Sequence, residues 1–247
     1  MKTGIFNIAL LILTVAVLSD CKKEEGICVG STGKVIIQER PAAAFHYVEV
    51  YDNINLFLAQ DTNYNQIKVE AGENLIDGIT TEIDHGRLKI RNQNSCNWLR
   101  SFNIPVNVYI KFRQIDTLIT HAAGNITGTN KWNNDLVNIV VEEGGGSIDL
   151  DLNVFKSYLV VKYGTFDLNF KGYSQVTFIS DLGYGPFNAE NLDSKFTYIY
   201  TGSPNDIKVT AYVELTAEIR NAGNVYYRGD PVSIHTELIG GGKLIKF

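Results

Sequence analysis

Gly146-Ser147-Ile148-Asp149-Leu150-Asp151-Leu152 is followed one short segment later by Gly164-Thr165-Phe166-Asp167-Leu168-Asn169-Phe170. In each stretch a glycine opens the segment and apolar side chains then alternate with polar ones. Alternation at a period of two is the signature of a strand with one buried face. The same glycine-led pattern extends in both directions. It appears as Gly124-Asn125-Ile126, Gly185-Pro186-Phe187, a degenerate Asn205-Asp206-Ile207, Gly223-Asn224-Val225 and Gly242-Lys243-Leu244. Successive apolar anchors at 126, 148, 166, 187, 207, 225 and 244 are separated by 22, 18, 21, 20, 18 and 19 residues. A period near 20 over seven units predicts a stack of coils.

Superposing the units predicts one inward ladder of Ile126, Ile148, Phe166 and Phe187. A second ladder of Leu150, Leu168 and Ala189 lies beside it, with a gap at Gly128. A further strand per unit is predicted in 136–141, 158–162, 176–180, 196–200, 213–219 and 232–236. Fifteen of the 22 glycines lie from Gly124 onward, as sharp corners at a shared position require. Upstream, alternation predicts strands at 35–39, 45–50, 54–59, 67–71, 79–84, 87–91 and 106–112. Turn signals such as Asp52-Asn53 and Asp84-His85-Gly86 separate them. Residues 73–78 leave room for a single helical turn. The fold class expected is all-β, a β-helix-like solenoid of short parallel strands and Gly-rich turns, with a β-sandwich as the alternative.

The 247 residues are 45% apolar and 20% charged, with a net charge of −5. That composition suits a globular domain and lacks the broad cationic surface a nucleic acid needs. Lys2 precedes an apolar run over residues 5–18, too short for a membrane span and suited to a secretory signal. Leu18-Ser19-Asp20-Cys21 resembles a bacterial lipobox, although Asp20 stands where a small residue is usual. The resemblance implies lipid on Cys21 and membrane attachment through it. Residues 1–20 are thus expected to be a signal peptide and 21–33 a lipidated tether. Residues 34–118 are expected to form an N-terminal β part, continuous with solenoid repeats over 119–247. With Cys21 lipidated, Cys28 and Cys96 are left as a possible disulfide in an oxidising compartment.

Phe45-x-x-Val48-x-Val50, Ile54-x-Leu56-x-Leu58-x-Gln60, Val69-x-Ala71-Gly72-Glu73-Asn74-Leu75-Ile76 and Asp84-His85-Gly86-Arg87-Leu88-x-Ile90 occur in that order. They precede the glycine-led repeats that end in Gly240-Gly241-Gly242-Lys243-Leu244. Over residues 35–244 the chain resembles the putative adhesins of the head-GIN type. That resemblance implies a right-handed β-helix-like domain on a cell envelope, with a role in adhesion; it brings no catalytic residues.

For chemistry, Asp149, Asp151 and Asp167 are expected on an outward acidic face with Asn169 and Asn188. Carbohydrate-active β-helix enzymes (polysaccharide lyases or hydrolases) use stacked acids in that way. No basic partner is placed by spacing, so a solvated face is the favoured reading. His46, His85, His121 and His235 form no ligand pair, and neither a metal site nor a cofactor is expected. Nine of the 13 tyrosines fall between Tyr158 and Tyr227. Tyr198, Tyr200, Tyr226 and Tyr227, with the three aspartates, are therefore the candidate ligand face, although tyrosines at strand positions also serve as inward ladder residues. Non-enzymatic binding of a glycan or protein is the expected function, at the outer membrane of a Gram-negative envelope. A carbohydrate-active enzyme and a purely structural envelope protein are the alternatives.

Overall fold

The computed structural model describes residues 31–61, 63, 65–94 and 105–247. Cys21, Cys28, Cys96 and Trp98, and with them the lipidation and disulfide expectations, lie outside the described residues. The N-terminal strands are β1 (Val35–Arg40), β2 (Tyr47–Asp52), β3 (Ile54–Gln60), β4 (Gln66–Gly72), β5 (Ile79–Asp84), β6 (Arg87–Asn92) and β7 (Val106–Phe112). They fall where alternation places them, and a single 3-10 turn at Ile76–Gly78 fills the predicted helical segment. The stack continues through β8 (Thr117–Ala122), β9 (Ile126–Gly128), β10 (Trp132–Val141), β11 (Gly145–Val161), β12 (Thr165–Asp181) and β13 (Phe187–Thr201). It closes with β14 (Ile207–Thr210), β15 (Glu214–Ile219), β16 (Val225–Arg228), β17 (Ser233–Leu238) and β18 (Leu244–Lys246).

The pairing is that of a β-solenoid. Side by side in one parallel sheet run β6, β2, β8, β10, the second halves of β11 to β13, β15 and β17. A second sheet runs β7, β3, β9, the first halves of β11 to β13, β14, β16 and β18. Strands β11 and β12 each have 17 residues and β13 has 15, so they pass from one sheet to the other without losing their ladder. The sequence pattern predicts separate short strands here. The corner is a bend within one strand, kept in register by identical bends above and below. At the N-terminal end the antiparallel pairs β1–β4, β4–β7 and β5–β6 replace the parallel pattern. The coils are also out of chain order there, because β2 sits between β6 and β8, and β3 between β7 and β9.

One continuous apolar core runs through the stack, and both Ile148 and Phe166 belong to it. Along the first sheet, Leu88, Val48, Leu118, Ile139, Leu159, Ile179, Ile199 and Ala217 superpose in register and are all buried. Along the second sheet two predicted ladders are corrected. Ile148 pairs with Leu168, while Phe166 pairs with Gly146; Leu150 pairs with Phe170. Ala189 stands opposite Val209, past a register shift between Asn169 and Lys171. A two-residue slip keeps every side chain on its own face, which is why alternation alone does not reveal it. Gly128 leaves no gap either. A Cβ there would lie 3.1 Å from Leu150 Cδ2, so the neighbouring leucine already fills the space.

The glycine period has a physical cause. A Cβ on Gly124, Gly146, Gly185, Gly223 or Gly242 would fall 2.0–2.2 Å from a backbone carbonyl oxygen of the adjoining coil. At these five positions the coils approach too closely for a side chain, whereas Phe166 and Asn205 hold the equivalent place in their own rungs.

Candidate functional site

The outward face of the first sheet brings aromatic and charged side chains together in columns. In-register pairing aligns Arg87, Tyr47, Thr117, Asn138, Tyr158, Phe178, Tyr198, Thr216 and His235 in one column. The neighbouring column is Lys89, Glu49, Ile119, Val140, Val160, Ser180, Tyr200, Glu218 and Glu237. Coil spacing of about 4.8 Å stacks the aromatic rings of adjacent rungs. Tyr158 and Phe178 lie 4.9 Å apart at 10° between planes, and Phe178 and Tyr198 lie 5.0 Å apart at 18°. Beside this aromatic ridge the small side chains of Val160 and Ser180 leave a groove of roughly 350 Å³, closed at one end by Tyr200 and Glu218. That size lies at the lower end of small-ligand sites. The Arg220 guanidinium sits 5.3 Å over the Tyr200 ring and pairs with Glu218. Burial, with Glu214 nearby, raises the Tyr198 phenol above its ordinary pKa and keeps its proton on.

Toward the N-terminal end the same face is cationic and aromatic. Arg87 lies 4.5 Å over Tyr47 and Arg91 4.1 Å over Tyr51, whose other face stacks on His121 at 4.5 Å. Glu49 knits this group together. It accepts a 2.7 Å hydrogen bond from the Tyr51 hydroxyl and sits 3.3 Å from both Arg87 and His121. Burial opposes its ionisation most, yet Tyr51, Arg87 and His121 together hold its carboxyl below the usual glutamate range.

The predicted ligand face is only partly one surface. Tyr198 and Tyr200 lie on this sheet. Asp149 belongs instead to an outward column of the second sheet with Asn169, Asn188, Lys208 and Tyr226. Asp151 stands in the next column with Lys171 and Asn191, and Asp167 pairs across to Ser147. The three aspartates therefore do not form a single acidic ladder. Lysines also reach two of them, with Lys171 at 3.4 Å from Asp149 and Lys131 at 3.6 Å from Asp151. Exposed pairs of this kind contribute little stability and leave a solvated face. A trench of roughly 530 Å³ runs along that side, where Asp167, Asn169, Asn188 and Lys208 border it together with Pro186 and Phe187. Tyr227 faces inward and packs against the core behind Val209.

None of the nine clustered tyrosines belongs to the buried core. Among the described residues no group of three or more His, Cys, Asp or Glu side chains could hold a metal ion. Neither composition nor motifs mark Phe178, Val160, Ser180 and Glu218, although Tyr158, Phe178 and Tyr198 sit at the repeat interval of 20. The Tyr51, Arg91, His121 and Glu49 group has no comparable signal, because coil order there departs from chain order.

Comparison with known proteins agrees with this architecture. No curated protein matches the chain. A putative adhesin from Bacteroides fragilis superposes with a TM-score of 0.79 at 19% identity, covering 87% of this chain and 97% of that one. A protein from Parabacteroides distasonis described as a putative lipid binding protein gives 0.62 at 16%, covering 88% and 98%. A putative adhesin from Parabacteroides merdae gives 0.58 at 15%, covering 88% and 98%. At these identities the likeness concerns the fold. The family model described as "Putative auto-transporter adhesin, head GIN domain" matches residues 44–231. That match spans most of the solenoid and both of its sheets, and the chain belongs to this family.

Proposed function

We propose that the chain is an envelope-anchored, non-enzymatic binding module that holds glycans on the outward face of its first sheet. The observation that supports this reading is the in-register ridge of Tyr158, Phe178 and Tyr198 beside a small-residue groove ending at Tyr200. Aromatic surfaces take the apolar C–H faces of sugars. Ser180, Thr216, Glu218 and the tyrosine hydroxyls supply hydrogen bonds around them. A rigid sheet face loses little entropy on binding, and its repeated columns match a ligand of repeating units. The lipobox-like Cys21 would tether the module to the outer membrane.

Retention of the purified protein on envelope and host polysaccharides tests the binding. Expected is retention with no new reducing or unsaturated ends, and a loss of roughly two- to tenfold in affinity for each of Tyr198→Ala and Tyr200→Ala. Cleavage of the polysaccharide would replace this reading with the enzymatic one, and absence of retention on any polysaccharide would leave a structural role. Loss of membrane association and of incorporated fatty acid in Cys21→Ser tests the anchor separately.

A further inference from the structure

The pairing that covers both sides of the middle coils stops at β17 and β18, as it does at β1 and β5 at the opposite end. Among the described residues β17 pairs only with β15 and β18 only with β16. The inward columns end there as well. Leu215 and Ile219 are fully buried, yet Ile234 and Leu238, the next members of their columns, are 42% and 54% exposed. A solenoid normally covers such an end with a polar cap, because open apolar rungs and free strand edges associate.

The geometry of this edge selects its occupant. Ser233 N–H donates to the Val213 carbonyl and Ile239 N–H to the Ile219 carbonyl, both toward the stack. Backbone direction alternates along a strand, so Ile234, Thr236 and Leu238 turn their N–H and C=O groups outward. Read in reverse about Thr236, β17 is complementary to itself. Ile234 meets Leu238 on the core side, Thr236 meets Thr236, and the His235 imidazole meets the Glu237 carboxylate on the outer side. Glu237 gains from that neighbour, since it stacks directly on Glu218 in its own chain.

We propose that the C-terminal end of the solenoid binds a second copy of this chain by twofold antiparallel pairing of β17 about Thr236. Three hydrogen-bonded residue pairs give about six backbone bonds, and the two open cores close on each other. Strand β1 lies at the opposite end of the stack from β18. The two copies' N-terminal ends therefore point away from each other, about 90–100 Å apart at one strand spacing per coil. With the proposed anchor in place, such a pair joins two facing membranes; the pairing itself does not depend on the anchor or on a glycan.

The test is sedimentation of the full chain in detergent over a concentration series, together with cross-linking through one introduced cysteine, measured against the parent with its own Cys21, Cys28 and Cys96. A concentration-dependent monomer–dimer equilibrium is expected. In the dimer the two Thr236 Cα atoms lie about 5.5 Å apart, within disulfide reach, so Thr236→Cys gives a covalent dimer under mild oxidation. Ser233→Cys does not, because its symmetry mate lies about 20 Å away. Leu238→Lys, a change at an exposed position, removes the dimer and leaves the melting temperature unchanged at concentrations where the parent is itself monomeric. A monomer at every concentration, equal cross-linking at both cysteines, or growth into open-ended chains by pairing with the β1 end would overturn the proposal.

Discussion

Replacing Gly146 with alanine tests the stacking rule that underlies the fold. Gly146 has φ 136°, a region that a residue with a Cβ adopts at a cost of about 1–2 kcal/mol. Its added methyl group would also stand 2.2 Å from the Gly124 carbonyl oxygen. Ordinary contact begins near 3.4 Å, so one coil must move by about 1 Å. Such a displacement weakens ladder hydrogen bonds to the coils on either side, each worth about 1 kcal/mol. Together these give a loss of about 3–5 kcal/mol. For a domain of this size that corresponds to a fall of roughly 6–20 °C in melting temperature. Gly241 is the matched control, because a Cβ there meets nothing within 4 Å; Gly241→Ala should change stability by less than about 0.5 kcal/mol. Urea and thermal unfolding of both variants, followed by circular dichroism, decide the matter. If Gly146→Ala costs no more than Gly241→Ala, close carbonyl approach is not what selects glycine at this corner.

Three further outcomes follow from buried groups. Asp181 is 2% exposed inside the column of Val161 and Thr201, and burial pushes its carboxyl up against the opposing pull of the Gly183 N–H and the Ser203 hydroxyl. A raised native pKa means that stability falls as pH climbs from the ordinary aspartate value to the raised one. Asp181→Asn should therefore melt higher than the parent at neutral pH and lose that advantage in acid. Glu49 has the opposite sign. Its lowered pKa contributes stability above the ordinary glutamate value that is lost as pH falls through the depressed one, so Glu49→Gln should be the less stable protein at neutral pH and converge with the parent in acid. Trp132 is 1% exposed and packs edge-on against Phe112 at 4.9 Å, so Trp132→Ala should cost about 3–5 kcal/mol in urea unfolding.

Much of this architecture is legible in residue order, and the exceptions have specific causes. The repeat near 20 residues and the strict alternation around Ile148 and Leu168 reveal coils and facing, because stacked rungs must bury the same positions. Register within a coil is less visible, since Phe166 can slide by two against Ile148 without changing face. The site follows the same logic. Tyr158, Phe178 and Tyr198 recur at the coil interval and share a column. Tyr226 is 28 residues past Tyr198, well off that interval, and so lies on the second sheet. Where β2 and β3 insert between later strands, chain order and coil order part, and the grouping of Glu49, Arg87 and His121 cannot be read from spacing at all.

In-register pairing from Asn138 through Tyr198 also makes the solenoid's length adjustable in whole units. Residue i of one rung meets residue i + 20 of the next at Tyr158, Phe178 and Tyr198. Excising one such 20-residue interval rejoins backbone to backbone at equivalent points, shortening the rod by about 4.8 Å while the remaining faces keep their alignment. Duplication would lengthen it by the same step, so that reach, unlike shape, can vary among such proteins by counting rungs.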